Sequence, residues 1–436
     1  MRVTVIGIGY LGLTHAVCMA DLGHEVVAID VDEDKVARAA HGEASFFEPG
    51  LEPLLAKNLD SHRLRFTTSV AEAGRFGEVH FICVGTPEGS SGQADLGFVY
   101  AAADALAPHL ASPCLIVGKS TVPAGTARQV MRRVQTLAPA REGIEVAWNP
   151  EFLREGFAVA DSWAPDRIVL GVTSSHAEVL LRQVYAAPLA AGTSLHVTGL
   201  ETAELVKLAA NAFLATKISF INAMAEICER TGADAMALAR ALGDDPRIGQ
   251  RFLSPGAGFG GGCLPKDIHA LRVTAEALGV SPAADMLAAV DTINIDRRHR
   301  VVALARESAG GTLAGKRVAV LGIAFKPGSD DVRDSPSLAI CDQLVTEGAV
   351  VSVHDPVAMP KAADGRPDLR YAPSASAAAE GAELVLHLTA WSEYLAIDPV
   401  SLARVVTRRV IIDGRCCLDT RLWRGAGWTV RALGQA

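Results

Sequence analysis

The sequence predicts an α/β protein: two doubly wound α/β domains joined by a central domain of long helices. Three observations predict it. Short β-branched runs alternate with amphipathic helical stretches over the first part of the chain, which is the pattern of a parallel sheet covered on both faces. A long Ala- and Leu-rich helical pattern then runs over residues 201–230 without Pro or Gly. Strand–helix alternation resumes at residue 316. At 436 residues the chain is also too long for one ordinary core.

In order, buried strands are expected at residues 3–6, 25–29, 80–84, 115–119 and 168–170, within a first domain of residues 1–197. The 201–230 pattern is apolar on most faces and is therefore expected to be buried on most faces. Further helical patterns at 233–242 and 282–306 complete a central domain over residues 198–308. The segment 308–315 contains three glycines and marks a boundary. Strands at 317–321, 350–354, 384–388 and 410–412 build a third domain over residues 309–436. Its first helix starts at Ser335-Pro336, an N-cap followed by a proline suited to the first turn.

Bulk properties narrow the function classes. A net charge of −8 gives no reason to expect nucleic acid or an anionic membrane as partner. The Arg297-Arg298-His299-Arg300 cluster reads as a solvated helix face. Eight cysteines are scattered without CxxC spacing, so no metal site is expected and a reducing, cytoplasmic setting fits. The N-terminus reads as a strand rather than a signal peptide, and no apolar run is expected to reach the length of a bilayer span.

Gly7-Ile8-Gly9-Tyr10-Leu11-Gly12 is GxGxxG directly after a strand and opening a helix, the phosphate-binding turn of a Rossmann-like domain. Asp30 ends the next strand at the spacing of a ribose-binding carboxylate, which favours NAD over NADP. Lys35 complicates this, because a nearby cation tolerates a 2′-phosphate. Thr86-Pro87 and Ser120-Thr121 supply polar loops at two further strand ends.

Glu151 and Glu155 are four apart in Asn149-Pro150-Glu151-Phe152-Leu153-Arg154-Glu155-Gly156. If Pro150 opens a helical turn, both carboxylates point to one side, for base chemistry or for a hydroxyl-rich ligand. Lys207 and Asn211 are also four apart, on a helix that is expected to be mostly buried. They need polar partners: an anionic ligand, or for Lys207 either solvent or Glu201 and Glu204.

Residues 258–267, GFGGGCLPKD, press four glycines against Cys263 just before a helix start at Pro265. A helix N-terminus and Lys266 both favour a thiolate, and Asp267 falls on the same helical face. The bland alternative is a buried, inert cysteine. In the third domain Lys326, Arg333 and Arg415 stand on loops after strands, where they contact phosphate or sugar or simply form surface ion pairs.

GIGYLG, VGTP, KSTVPAGT, NPEFLREG, the Lys207/Asn211 helix, GFGGGCLPKD, AFKPGSDDVRDSP and DGR occur in one order. Together they resemble the UDP-glucose/GDP-mannose dehydrogenase family along essentially the whole chain. The resemblance implies oxidation of a nucleotide-sugar primary alcohol to a carboxylate, with two NAD molecules and a covalent intermediate on Cys263. It implies Asp267 and Thr121 around a water that accepts the first proton, Glu151 as general base, and Lys207 and Asn211 as oxyanion donors. For NAD it implies the Gly7–Gly12 turn, Asp30, Lys35, Thr86, Pro87, Ser120, Thr121, Glu155, Lys266 and Arg333. For the nucleotide sugar it implies Glu151, Phe152, Leu153, Arg154, Glu155, Lys207, Asn211, Ser254, Gly258, Phe259, Gly260, Phe325, Lys326 and Arg415.

Arg247 matches a position that reaches a neighbouring subunit's substrate, and the central helix would then hold a homodimer. Glu155-Gly156 after NPEFLR looks more like the UDP-glucose branch. Gly262 stands where members often carry serine, and His15 reads as a helix-packing residue. Base and sugar (UDP-glucose, TDP-glucose, GDP-mannose or UDP-N-acetylmannosamine) stay open. So do a two-electron hydroxyacid or 6-phosphogluconate type of dehydrogenase, which needs no cysteine, and a non-catalytic NAD-binding scaffold.

Overall fold

A computed structural model describes residues 1–89 and 91–435. The chain forms two compact units, Met1–Ala210 and Asn211–Ala436. The first holds an eight-stranded sheet: β1 (Arg2–Ile6), β2 (Glu25–Ile29), β3 (Leu64–Thr67), β4 (Val79–Ile82), β5 (Cys114–Gly118), β6 (Ile144–Trp148), β7 (Arg167–Gly171) and β8 (Ser194–Thr198). Their order is β3-β2-β1-β4-β5-β6-β7-β8. All neighbours pair in parallel except β6 and β7, which meet antiparallel at Trp148 and Gly171. Successive side chains of β5 serve opposite layers, as a strand's period of two requires. Leu115 and Val117 pack under the helix Tyr10–Asp21, whereas Cys114 and Ile116 pack under the helix Thr126–Leu137.

The second unit closes with a six-stranded sheet: β9 (Arg317–Leu321), β10 (Val350–His354), β11 (Arg370–Tyr371), β12 (Leu384–His387), β13 (Val410–Asp413) and β14 (Thr429–Ala432). Its order, β11-β10-β9-β12-β13-β14, repeats that of the first six strands, and all its pairs are parallel. Both sheets therefore present their carboxyl ends at a switch point beside the first strand, where ligands of such sheets sit.

Three strands of the first sheet and two of the second were not among those expected from sequence. β8, β11 and β14 stand at sheet edges and carry polar or charged residues, as edge strands do, so they do not read as apolar runs. β6 places Glu145 in its second position, which breaks the apolar run although the rest of the strand is buried.

The helix Leu200–Thr231 is 32 residues long. By length and composition it is apolar enough to cross a membrane, which corrects the sequence reading that no stretch reaches that length. Its buried polar residues Glu204, Lys207, Asn211 and Asn222 mark it as a core helix. The expected burial on most faces holds except along one stripe, where Phe213, Phe220 and Ile227 are 67 %, 48 % and 52 % exposed. In the second unit Ala212 and Ala215 of this helix pack with Phe259, Ile268, Leu287 and Val290, the last three from the helices Leu264–Ala277 and Ser281–Ser308.

Candidate active site

The nucleotide turn of the first unit is shaped by its glycines. Gly7 has φ +90°, and a Cβ at Gly12 would collide with the Gly7 carbonyl, so both positions exclude side chains. A Cβ at Gly9 would meet nothing within 4 Å, which leaves open space over the turn. The helix Tyr10–Asp21 has no side-chain cap and no acid in its first turn. Its leading N–H groups are thus left for a phosphate.

Asp30 accepts Ile8 N–H at 2.9 Å and Asp32 N–H at 3.1 Å, tying the turn to the end of β2 while staying partly exposed. Lys35 is drawn to Asp32 at 3.5 Å, so the cation that complicated the cofactor choice has its own anion. These residues fit NAD. Thr86 Oγ1 donates to Thr121 O at 2.9 Å and Ser120 Oγ to Val84 O at 2.7 Å, which cross-ties the loops after β4 and β5. His15 packs edge-on against Phe81, with ring centroids 4.5 Å apart, as expected of a packing residue.

The segment after β6 differs from expectation. Pro150 opens no helical turn; residues 149–154 are irregular and a turn follows at Glu155-Gly156. The physical reason is competition for backbone donors by carboxylates. Glu151 Oε2 takes Leu153 N–H at 2.6 Å, and Asp161 takes Arg154 N–H at 2.9 Å. Glu48 takes Gly156 N–H and Ala158 N–H, both at 2.7 Å, and the Tyr10 hydroxyl at 2.5 Å. Glu48, only 6 % exposed, therefore links the nucleotide turn to the NPEFLREG segment. Sequence reasoning missed it; its position in Glu48-Pro49-Gly50, just before the helix Leu51–Asp60, was the available signal.

Glu151 Oε1 and Lys207 Nζ form a buried ion pair at 2.9 Å. Glu201 and Glu204, the alternative partners, are engaged elsewhere. Glu201 pairs with Arg128, and Glu204 accepts Gly125 N–H at 2.7 Å and Ala127 N–H at 2.5 Å, capping the helix Thr126–Leu137. The Phe152 ring lies under the Arg167 guanidinium at 3.9 Å and 5.7 Å from Lys207 Nζ. Arg154 is held by Asp161.

In the second unit Cys263 is exposed at the N-cap of the helix Leu264–Ala277, so it is not a buried thiol. Cys18, Cys83 and Cys114, by contrast, are buried thiols pushed up to about 12 by desolvation. Asp267, 1 % exposed, accepts Asn211 Nδ2 at 2.6 Å and Lys266 Nζ at 2.8 Å.

The neighbouring glycines are less free than a ligand-facing loop implies. A Cβ at Gly261 would press on the Phe325 ring at 2.8 Å, and one at Gly262 would overlap the Arg333 guanidinium. Gly262, the departure from the family pattern, thus makes room for Arg333, which is itself held by Asp331 at 2.6 Å.

The loop before Cys263 is clamped from three elements. Asn222 Oδ1 accepts Gly256 N–H at 2.8 Å, and Asn294 exchanges bonds with the Phe259 backbone at 2.7 and 3.0 Å. Arg415 donates to Gly258 O at 3.1 Å, Phe325 O at 3.3 Å and Leu388 O at 2.5 Å. Asn222 and Asn294 carried no motif and were not anticipated. Phe325 and Lys326 stack, with Nζ 5.3 Å from the ring, while Ser254 and Arg247 are exposed and Arg247 pairs with Asp245 at 2.6 Å. The ligand atoms of His387, Asp413 and Cys417 lie within 4.8 Å of one another. Asp413 already accepts His387 Nδ1 and the N–H groups of Arg415, Cys417 and Leu418, so this group closes the Arg415 loop.

The chain is similar to known proteins along its whole length. Residues 1–188 match the NAD binding domain of the UDP-glucose/GDP-mannose dehydrogenase family, residues 201–296 its central domain and residues 319–420 its UDP binding domain. The chain is 41 % identical to UDP-glucose 6-dehydrogenase TuaD of Bacillus subtilis, over 100 % of this chain and 93 % of that one. It is 42 % identical to the UDP-glucose 6-dehydrogenase of Pseudomonas aeruginosa, over 95 % and 93 %. A solved UDP-glucose dehydrogenase from Pyrobaculum islandicum superposes with a TM-score of 0.92 at 39 % identity, covering 100 % of this chain and 98 % of that one. With its NAD turn, its central helix and its second Rossmann-like sheet in that order, the chain belongs to the UDP-glucose/GDP-mannose dehydrogenase family, whose members are NAD-dependent oxidoreductases.

Proposed function

We propose that the chain oxidises the 6-hydroxyl of UDP-glucose to the carboxylate of UDP-glucuronate in two successive two-electron steps. The observation that carries this reading is Cys263, exposed at a helix N-terminus, with the buried Asn211–Asp267 pair on the same unit. The identity to UDP-glucose 6-dehydrogenases over the whole chain supports the sugar and the base.

Gly7–Gly12 and Asp30 with Thr86, Pro87, Ser120, Thr121, Glu155, Lys266 and Arg333 would hold NAD, which would supply the hydride acceptor for both oxidations. Asp267 and Thr121 guide the proton of the 6-hydroxyl to a water as the C6 hydride departs. The Cys263 thiolate then adds to the aldehyde carbon, forming a C–S bond and an alkoxide. Lys207 and Asn211, one turn apart on the same helix, are fixed donors to that oxyanion. Loss of the second C6 hydride leaves a thioester. Glu151 takes a proton from the water that attacks it, the C–S bond breaks, and Sγ leaves as the thiolate. The sum is one alcohol, two NAD and one water giving one carboxylate, two NADH and three protons.

Phe152, Leu153, Arg154, Ser254, Gly258, Phe259, Gly260, Phe325, Lys326 and Arg415 are assigned to the nucleotide sugar. Arg415 serves chiefly by fixing the loop backbone, since three of its donors are on carbonyls. Mixing the protein with UDP-glucose and NAD is expected to release two NADH per sugar consumed. A ratio of one removes the four-electron reading. Parallel assays with TDP-glucose, GDP-mannose and UDP-N-acetylmannosamine are expected to be slower; a faster one reassigns the substrate.

The proposal includes a homodimer through the central helix and a cytoplasmic location. Phe213, Phe220 and Ile227 recur every seven residues and form one exposed apolar stripe. Arg247 is assigned to the partner's substrate. Sedimentation is expected to give at least twice the 45.7 kDa of the chain; a monomer at micromolar concentration removes the dimer.

A further inference from the structure

Lys119 follows β5 and is only 7 % exposed, a costly place for an ammonium. Nζ donates to Asn149 Oδ1 at 3.0 Å and to the Tyr185 hydroxyl at 3.4 Å, and it faces the rings of Phe81 and Tyr185 at 6.0 and 5.8 Å. Neither acceptor depends on it. The Tyr185 hydroxyl itself donates to Asn149 Oδ1 at 2.5 Å, and Asn149 Nδ2 reaches Val169 O at 2.8 Å. An uncharged side chain at 119 would leave those bonds in place, so structural satisfaction does not explain a lysine here.

The surroundings do. Lys119, Asn149, Glu151 and Tyr185 line one cavity of about 80 Å³. Cys83 after β4, His15 on the first helix, Tyr185, Glu151 and Lys207 face Lys119, and Arg154, Asp161, Asp166 and Arg167 line the same cavity. Burial pulls Lys119 down to about 8; Cys83 and Glu151 favour its charge and Lys207 opposes it. The ammonium is therefore charged below that pH and lost as pH rises through it.

We propose that Lys119 is a positioning residue for the hydrolytic step: its ammonium supplies, with Lys207, a second positive charge that holds the Glu151 carboxylate in place to receive the proton of the attacking water. The proposal rests on the reading of Glu151 as general base.

Two variants test it. Lys119→Met removes charge and donor, and Lys119→Gln keeps a donor without charge. Both are expected to release two NADH per Cys263 in a burst and then turn over at least tenfold more slowly than the parent. A covalent acyl adduct should accumulate by intact mass, and Tm should be unchanged or higher because a buried charge is gone. The parent's hydrolysis rate should fall as pH rises through about 8, and both variants should lack that fall.

Parental steady-state rates, slow turnover without the adduct, or a Tm lowered in step with activity overturn the proposal. Glu151→Gln run alongside separates the two readings. If Glu151→Gln hydrolyses normally, the base assignment is lost whatever Lys119 does. If it stalls while the Lys119 variants do not, only the Lys119 proposal is lost.

Discussion

Replacing Cys263 by alanine is expected to lower UDP-glucuronate formation by on the order of 10³-fold or more, the scale on which loss of a covalent nucleophile registers. Binding of UDP-glucose and NAD should survive, because the loop is held by Asn222, Asn294 and Arg415 rather than by the thiol. The helix behind Cys263 should survive as well, since Pro265 and Asp267 open its first turn. Cys263→Ser tests the same step differently. A poorer nucleophile should stall after attack and leave an intermediate on the protein, visible by intact mass. Parental acid formation by either variant would mean that the aldehyde is oxidised without covalent capture.

The second large effect is expected in stability. Asp355 follows β10 and is fully buried. Its two oxygens accept the N–H groups of Ile323 and Ala324 at 2.9 Å each, Val357 at 3.1 Å, Ala358 at 2.9 Å and Trp391 Nε1 at 3.2 Å. Asp355→Ala strands these donors, and each unsatisfied one costs about 1–3 kcal/mol. We expect at least about 3 kcal/mol of lost stability, since several donors are stranded at that cost each.

Asp30 is the matching residue of the first sheet, but it takes only two backbone donors and stays partly exposed. Asp30→Ala should therefore cost only about 1 kcal/mol, the scale of one ordinary hydrogen bond, and act mainly on NAD affinity. Denaturant unfolding of both variants decides the matter. Equal losses would contradict the reading of Asp355 as a purely structural clamp. The second sheet repeats the strand order of the first without its GxGxxG. Its acid is consumed by the loop that follows β9, so no ribose partner remains there.

Much of the fold was legible because interior strands must be continuous apolar runs. β2, β9 and β10 were expected at their observed bounds, and the helix at Ser335-Pro336 starts where its cap and proline place it. Edge strands escaped notice because solvent on one side removes that requirement. Chemistry-bearing residues inside motifs were legible for a related reason. Cys263 before a proline and Lys207 four residues from Asn211 are positions that local helical geometry alone can specify.

The supporting residues were not. Glu48 meets Gly156 across 108 positions of chain, and Asn294 meets Phe259 across 35. No local period announces such pairs. The NPEFLREG segment shows how this misleads: a proline and two glutamates read as a helix start, yet Glu48, Asp161 and Glu151 claim the backbone donors and leave the segment irregular.

By itself the sequence determined the order of the α/β and helical parts, the NAD turn and the family, because each depends on neighbours within one turn or one strand. Only the tertiary structure decided which polar and charged groups are paired. It joined Glu151 to Lys207 and Asp267 to Asn211, and it buried Lys119 behind Asn149. An ion pair is set by distance and desolvation in space, and neither quantity exists along a chain.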